Sequence, residues 1–369
     1  MKVLFRVDAS LEMGSGHVMR CLTLANQLSN SGMECHFVCR AHPGNLSDLI
    51  QKSSHHVHLL DGERANNPGP SEGRLAHEDW LGCDWQTDAA QTGEIAAMLK
   101  PGWLIIDHYA IDFRWEQQVR AHCGRILIID DLADRDHDCE LLLDQTFGRE
   151  ASAYEARVPA QCKLLLGSKY ALLRPEFAKY RRQSLARRTN GKIRRVLVAM
   201  GGVDKDNITG QVLASLNGNA LPAECEITIV MGATAPHVET VKALAAKLPW
   251  STSVQTNVMN MAEFMAEADL AIGAAGSSSW ERCSLGLPTI MLVLAENQQT
   301  IAEALEAEGA VVGLRSWDNG GFDATLCCLI AELVSDEGRV LSISRKAASL
   351  ADGGGVHLVT NCLLEGLSQ

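Results

Sequence analysis

The segment Asp8, Ala9, Ser10, Leu11, Glu12, Met13, Gly14, Ser15, Gly16, His17 runs from a short β-branched stretch into the helical sequence VMRCLTLANQL. Gly14 and Gly16 let the backbone approach a ligand closely, and the helix that follows offers unpaired N–H groups and a partial positive charge to an anion. A dinucleotide fingerprint needs a third glycine at position 19, where this chain has Met19, so a nicotinamide dinucleotide is poorly supported. His17 is the more pointed group. A helix N-terminus disfavours the charged form of a histidine, and a neutral imidazole near pH 7 is what deprotonating a water requires. Capping the helix or touching phosphate is the competing role, and the loop alone leaves both open.

Two loops in the second half have a composition suited to phosphate. Gly201, Gly202, Val203 and Asp204 follow the strand-like VLVAM, and Gly276, Ser277, Ser278, Ser279, Trp280 and Glu281 follow LAIGAA. In the second loop a glycine, three hydroxyls and a helix start provide side-chain and backbone donors for a diphosphate. Glu281, one turn into that helix, is placed to accept hydrogen bonds from a ribose diol. A first-turn glutamate also complements the helix dipole, but the glycine and serines before it favour the sugar-nucleotide role.

Asp107, His108 and Tyr109 stand at the carboxyl end of a strand, where substrate contact and a polar strand-end turn are both open. Asp130, Asp131, Asp134, Asp136 and Asp138 with His137 have the composition of a hard-cation site. Their spacing fits no defined calcium loop, and a solvated turn with aspartate caps fits better. His55, His56 and His58 lie beside or within a short strand, where side chains alternate sides, and scattered surface or core histidines account for them. No metal site and no cofactor are expected.

Strands and helices must hold these loops in place. Val3–Val7, His36–Arg40, Val57–Leu60, Trp103–Asp107, Arg125–Asp130 and Leu141–Asp144 read as buried parallel strands with amphipathic segments between most of them. A second series begins at Arg195, Glu226, Leu270, Thr289 and Ala310. Such alternation means an α/β layer fold, and two doubly wound sheets in tandem would put their ligand loops on either side of a cleft. The expected domains are residues 1–176, carrying the GxGH loop, and residues 195–345, carrying the nucleotide loops. The basic stretch 177–194 reads as a solvated linker helix connecting them, and the helix of 346–369 is expected to pack back on the first domain. Residues 61–90, with Asn66, Asn67, Pro68, Gly69 and Pro70, lack periodicity and read as an inserted surface loop.

The chain has 369 residues, 46% hydrophobic and 21% charged, with 33 basic and 45 acidic side chains for a net charge of −12. Its length suggests two domains, and its charge argues against nucleic acid or an anionic membrane surface as partner. No apolar run reaches the roughly 18 residues of a membrane-spanning helix, and Asp8 interrupts the N-terminal apolar run before a signal-peptide core is complete. A cytoplasmic protein is expected. The twelve cysteines show no CxxC pair, a pattern of reduced thiols.

In order along the chain, GSGHVMRC at 14–21, DHYAID at 107–112, DDLADRDHDC at 130–139, LLDQT at 142–146, KYALLRPEF at 169–177, MGGVDKDN at 200–207, GSSSWERCSLGLP at 276–288 and AENQ at 295–298 resemble a known family. It is that of the UDP-sugar hydrolases of pseudaminic acid biosynthesis, which supplies the sugar of flagellin glycosylation. The last third also looks like the nucleotide half of the lipid II N-acetylglucosaminyltransferase, whose pattern Glu281 to Pro288 reproduces. The resemblance implies an α/β GT-B fold, two doubly wound Rossmann-like domains facing a cleft. It implies hydrolysis of UDP-2,4-diacetamido-2,4,6-trideoxy-β-L-altropyranose to UDP and the free sugar, without a metal, by inverting cleavage of the anomeric C–O bond. The family's essential histidine falls on His17, its tyrosine on Tyr109, and its asparagine on Asn297, with Gln298 beside it. The chain is longer than compact members through 61–90 and the segment around Leu314 to Phe322.

On this basis His17 activates the water, Asp8 at the end of the same strand orients it, and Gly276 to Ser279 hold the leaving UDP. A GT-B glycosyltransferase acting on a UDP-sugar is the alternative, although no clear membrane-docking patch is visible. A sugar-nucleotide epimerase and a non-catalytic binder are further readings. The expected partner is a UDP-sugar alone, with the protein a monomer or weak homo-oligomer.

Overall fold

The structure, a computed structural model, describes residues 1–62, 75–216, 221–232, 235–314 and 322–366. They form two compact units, Met1–Leu172 with Gly354–Gln369, and Leu173–Gly353.

In the first unit, seven strands make one parallel sheet: β1 (Lys2–Val7), β2 (Glu34–Arg40), β3 (His56–Leu60), β4 (Trp103–Asp107), β5 (Arg125–Ile129), β6 (Leu141–Asp144) and β7 (Lys163–Leu166), in spatial order 3-2-1-4-5-6-7. Because the order reverses between β1 and β4, their carboxyl ends open a crevice at the switch point. Parallel sheets bury both faces, so their strands are continuously apolar rather than alternating. Here Val3, Phe5 and Val7 face helix α1 (Gly16–Asn30) and the chain's last helix, Gly355–Glu365, in a cluster with Val18, Cys21, Leu24, Val356, Val359 and Leu363. The intervening Leu4 joins Leu104, Ile106 and Trp115 on the opposite face. That face is covered by α3 (Trp85–Leu99) and α4 (Phe113–Val119), while the short α2 (Ser47–Lys52) precedes β3.

The second unit carries β8 (Arg195–Ala199), β9 (Glu226–Met231), β10 (Ser251–Thr256), β11 (Leu270–Ala274), β12 (Thr289–Leu292) and β13 (Val312–Leu314). They form a parallel sheet in order 10-9-8-11-12-13, again with a switch point, between β8 and β11. Its helices are α5 (Pro175–Arg187), α6 (Ile208–Leu216), α7 (Val238–Ala245), α8 (Met261–Glu267), α9 (Ser278–Ser284), α10 (Gln299–Ala307), α11 (Phe322–Ser335) and α12 (Glu337–Leu350). No described helix is long and apolar enough to cross a membrane.

Four expectations are corrected. First, β7 and β10 escaped the pattern: KLLL is only four residues long, and STSVQT is an edge strand with few apolar positions. Second, the tail of 61–90 is helix, since Asp84 accepts a hydrogen bond from the Thr87 amide at 2.8 Å and caps α3 from Trp85 onward. Residues 63–74 of that insertion, and 315–321 of the segment near Leu314, lie outside the described residues. Third, the basic stretch after 177 is helical as expected, in α5, but it is not wholly solvated. Arg181 donates to the carbonyls of Ser284, Ala348 and Ala351, and Arg188 to those of Met265 and Ala268 at 2.8 and 2.7 Å. These arginines satisfy carbonyls that helix ends leave unpaired. Fourth, Asp130 in the acidic cluster is buried rather than solvated. It pairs with Arg135 at 2.9 Å and accepts from the Ala133 amide and the Tyr154 hydroxyl, each at 3.0 Å.

Candidate active site

The β1–α1 loop turns sharply at Gly14, whose φ of +74° a side chain rarely tolerates, and the Ser10 hydroxyl accepts from the amides of Glu12 and Met13. Gly16 then opens α1 and His17 follows. Across the switch point, Asp107 ends β4 in register with Val7, which turns its carboxylate toward the face that α1 covers. Nδ1 of His17 lies 2.6 Å from Oδ1 of Asp107. A carboxylate only accepts, so Nδ1 carries a proton, and in the neutral ring the lone pair lies on Nε2.

Arg20, one turn further along α1, grips the same carboxylate with two prongs: Nε donates to Oδ2 at 2.6 Å and Nη2 to Oδ1 at 2.7 Å. Its third nitrogen, Nη1, donates to Oδ2 of Asp131 at 2.8 Å, and Oδ1 of Asp131 accepts from the Tyr109 hydroxyl at 2.7 Å. Burial opposes ionisation of Asp107, but Arg20 and then His17 outweigh it and hold the acid far below the usual carboxylate range. Burial, with Asp131 beside it, pushes the Tyr109 phenol well up, so it stays a neutral donor. Asp107 is wholly enclosed, whereas the His17 side chain remains 11% exposed. The result is one reachable imidazole held by one buried anion. The His17 ring meets Tyr109 edge-on with centroids 4.7 Å apart, and Trp80 stacks on Tyr109 at 5.7 Å with His77 against both.

Asp8 is not the partner of His17. Its side chain points to the opposite face of the sheet, where it pairs with Arg6 Nη1 at 2.8 Å, accepts from the Arg40 amide at 2.6 Å and lies 3.3 Å from His108 Nε2. Asp88 completes that cluster, bound by Arg6 at 2.9 and 2.7 Å and by Trp115 Nε1 at 3.0 Å. The Ala110 amide donates to Nδ1 of His108, and burial, only partly offset by Asp8, lowers the pKa of that ring.

In the second unit, Gly201 (φ +101°) and Gly202 follow β8, and Asp204 accepts from the amides of Ile208 and Thr209 at 2.8 and 3.0 Å to cap α6. A methyl group added at Gly276 would meet nothing within 4 Å, so the backbone is open there. Of the three serines, Ser277 is exposed. Ser278 and Ser279 accept from Arg282 at 3.0 and 3.2 Å, and Arg282 also donates to the Ala274 carbonyl at 2.7 Å. Burial lowers Arg282 to about 10. Glu281 stands in the first turn of α9, and its pKa is raised by burial against the opposing pull of Arg174 and Arg282. Asn297 and Gln298 lie in a single turn at Glu296–Gln298, where Gln298 Oε1 accepts from the Leu294 amide at 2.9 Å.

The structure therefore joins His17 and Tyr109 in one network and gathers Gly201, Gly202, Gly276, Ser277, Ser278, Ser279 and Glu281 at the strand ends of the second sheet. Sequence reasoning missed Arg20, Trp80 and Arg282, and placed Asp131 in an acidic turn rather than in this network. Only Arg20 carries a signal, its spacing of three from His17 on one helix face.

Residues 195–320 match the glycosyltransferase family 28 C-terminal domain. The chain is 28% identical, over 84% of its length and 97% of the relative's, to the UDP-2,4-diacetamido-2,4,6-trideoxy-β-L-altropyranose hydrolase of Campylobacter jejuni. It is 26% identical over 81% of its length to the uncharacterized protein MJ1062 of Methanocaldococcus jannaschii, of which that match spans 57%. Among solved structures, MurG of Acinetobacter baumannii matches with a TM-score of 0.66, covering 99% of each chain at 16% identity. The chain thus has the GT-B fold and resembles, along most of its length, the UDP-2,4-diacetamido-2,4,6-trideoxy-β-L-altropyranose hydrolase.

Proposed function

We propose that the chain hydrolyses UDP-2,4-diacetamido-2,4,6-trideoxy-β-L-altropyranose to UDP and free 2,4-diacetamido-2,4,6-trideoxy-L-altrose, the hydrolysis for which its Campylobacter relative is named. The observation that carries the reading is the Asp107–His17 hydrogen bond, which places a proton on Nδ1 and, in the neutral ring, leaves Nε2 to act as the base. Water gives its proton to Nε2, its oxygen bonds to the anomeric carbon, and the C–O bond to UDP breaks with the electron pair leaving on the phosphate. Attack opposite the departing UDP inverts the anomeric centre. UDP is a good leaving group because its terminal phosphate ionises at a pKa of about 6, as for a phosphomonoester, so the step needs no strong acid.

In this reading the loops at Gly201–Gly202 and Gly276–Ser279 supply amides to the diphosphate. Glu281, with no hydrogen bond to its carboxylate among the described residues, takes the ribose diol. Asn297 and Gln298 contact the substrate, Tyr109 borders the sugar beside Trp80, and no metal takes part. The match to a glycosyltransferase domain favours one other reading, transfer of the sugar from UDP to an acceptor on the same fold. Incubation with the UDP-sugar alone, followed by ¹H NMR, separates them. Release of free sugar with UDP in the absence of any acceptor supports the hydrolase, and an unconsumed substrate refutes it.

A further inference from the structure

Glu34 and His36 lie two apart on β2, and His56 and His58 two apart on β3. Side chains two apart on a strand share a face, and parallel neighbours run about 4.8 Å apart. The register pairs His36 with His56, so all four groups meet on one face at the edge of the first sheet. His36 Nε2 is 2.9 Å and His56 Nε2 3.8 Å from Glu34 Oε1, and the three donor atoms lie within 4.8 Å of one another. The rings of His36 and His56 are stacked at 4.6 Å and 20°. His55, by contrast, turns away to Asn26.

We propose that Glu34, His36 and His56 bind a divalent transition metal ion of the zinc class. Two imidazoles and a carboxylate, with a position left for water, form a recognised zinc donor set. Metal–ligand bonds of about 2.0–2.2 Å would draw the three atoms to about 3.4 Å from one another, a modest adjustment from their present spacing. A metal-bound histidine ordinarily donates its other ring N–H to a neighbour that fixes its orientation. His58 Nε2 lies 3.2 Å from His36 Nδ1 and is that neighbour.

Glu34 and His56 open their strands, so this site lies at the amino ends of the sheet, opposite the loop that carries His17. It is separate from the proposed reaction, and its ion ties edge strand β3 to β2.

Calorimetric titration of the full chain, reduced and freed of metal, with zinc chloride is expected to show one tight equivalent. Cobalt(II) in its place should give ligand-field bands without thiolate charge transfer. His56→Gln and Glu34→Gln, both at exposed positions, should each weaken zinc binding by at least about tenfold while the circular dichroism spectrum is unchanged. Wild-type affinity in both variants, a thiolate band on cobalt, or no zinc uptake at all would overturn the site. UDP-sugar turnover by His56→Gln should match wild type, which keeps this test independent of the proposed hydrolysis.

Discussion

Asp107 Oδ1 and His17 Nδ1 stand 2.6 Å apart although 90 residues separate them in the chain. The carboxylate is completely buried, gripped at both oxygens by Arg20, and open to no solvent. Its negative charge therefore has one remaining task, to hold the imidazole in one tautomer and to stabilise the imidazolium formed when water is deprotonated.

His17→Ala removes the base while leaving the second unit untouched. A positioned base contributes about 10²–10⁴ in rate, so kcat for UDP release should fall by at least about 100-fold. Calorimetric affinity for UDP should remain as in wild type. Turnover within a few-fold of wild type would remove His17 from the reaction.

Asp107→Asn keeps the shape of the side chain but removes the charge that Arg20 and His17 share. Breaking one side of a buried ion pair costs about 3–5 kcal/mol, so the thermal midpoint should drop. Turnover should also fall by at least about 100-fold, because an amide can donate to Nδ1 and favour the wrong tautomer. Asp8→Asn separates stability from catalysis: it strips a partner from Arg6 and His108, so it should lower the midpoint while the surviving folded fraction keeps its turnover. Loss of turnover in Asp8→Asn equal to that in Asp107→Asn would show that the two aspartates cannot be assigned these different tasks.

The His17 loop was legible because glycine spacing and a helix start are local features. The partner of His17 was not, because it depends on which strand lies beside β1 and on which face each strand-end residue turns to. Asp8 is adjacent in sequence, yet it shares the face of Arg6, while Asp107 in register with Val7 shares the face of α1. The two doubly wound sheets were readable from apolar runs, and the edge strand Ser251–Thr256 was lost because half-exposed strands need few apolar residues. Arg282 was unreadable for a similar reason: its hold on Ser278 and Ser279 arises only once α9 is folded.

His137 gives the fold a pH signature. Burial opposes its charge, but Glu116 at 2.7 Å and the nearby Asp130 outweigh burial and raise it from 6.5 to about 9. A group raised on folding contributes stability that is fully present below its unfolded value and is lost as pH rises through the folded one. Stability should therefore fall between about pH 6.5 and 9, by on the order of 3 kcal/mol. Urea titrations across that range test it, with His137→Gln as the control. A slope that persists unchanged in His137→Gln would assign the effect to other groups.

Glu281 decides whether the second unit grips the nucleotide as proposed. Its pKa is raised because burial is incompletely compensated by Arg174 and Arg282, and a carboxylate short of donors gains most from a ligand that brings two hydroxyls. Hydrogen bonds to a charged group are worth about 1.5–3 kcal/mol, so Glu281→Ala should weaken UDP binding by roughly ten- to a hundredfold. Uridine and UDP should lose affinity alike, since both carry the diol, while 2′,3′-dideoxyuridine diphosphate should bind wild type and variant equally. Equal affinity of wild type and Glu281→Ala for UDP itself would take Glu281 off the ribose and leave it as a complement to the dipole of α9.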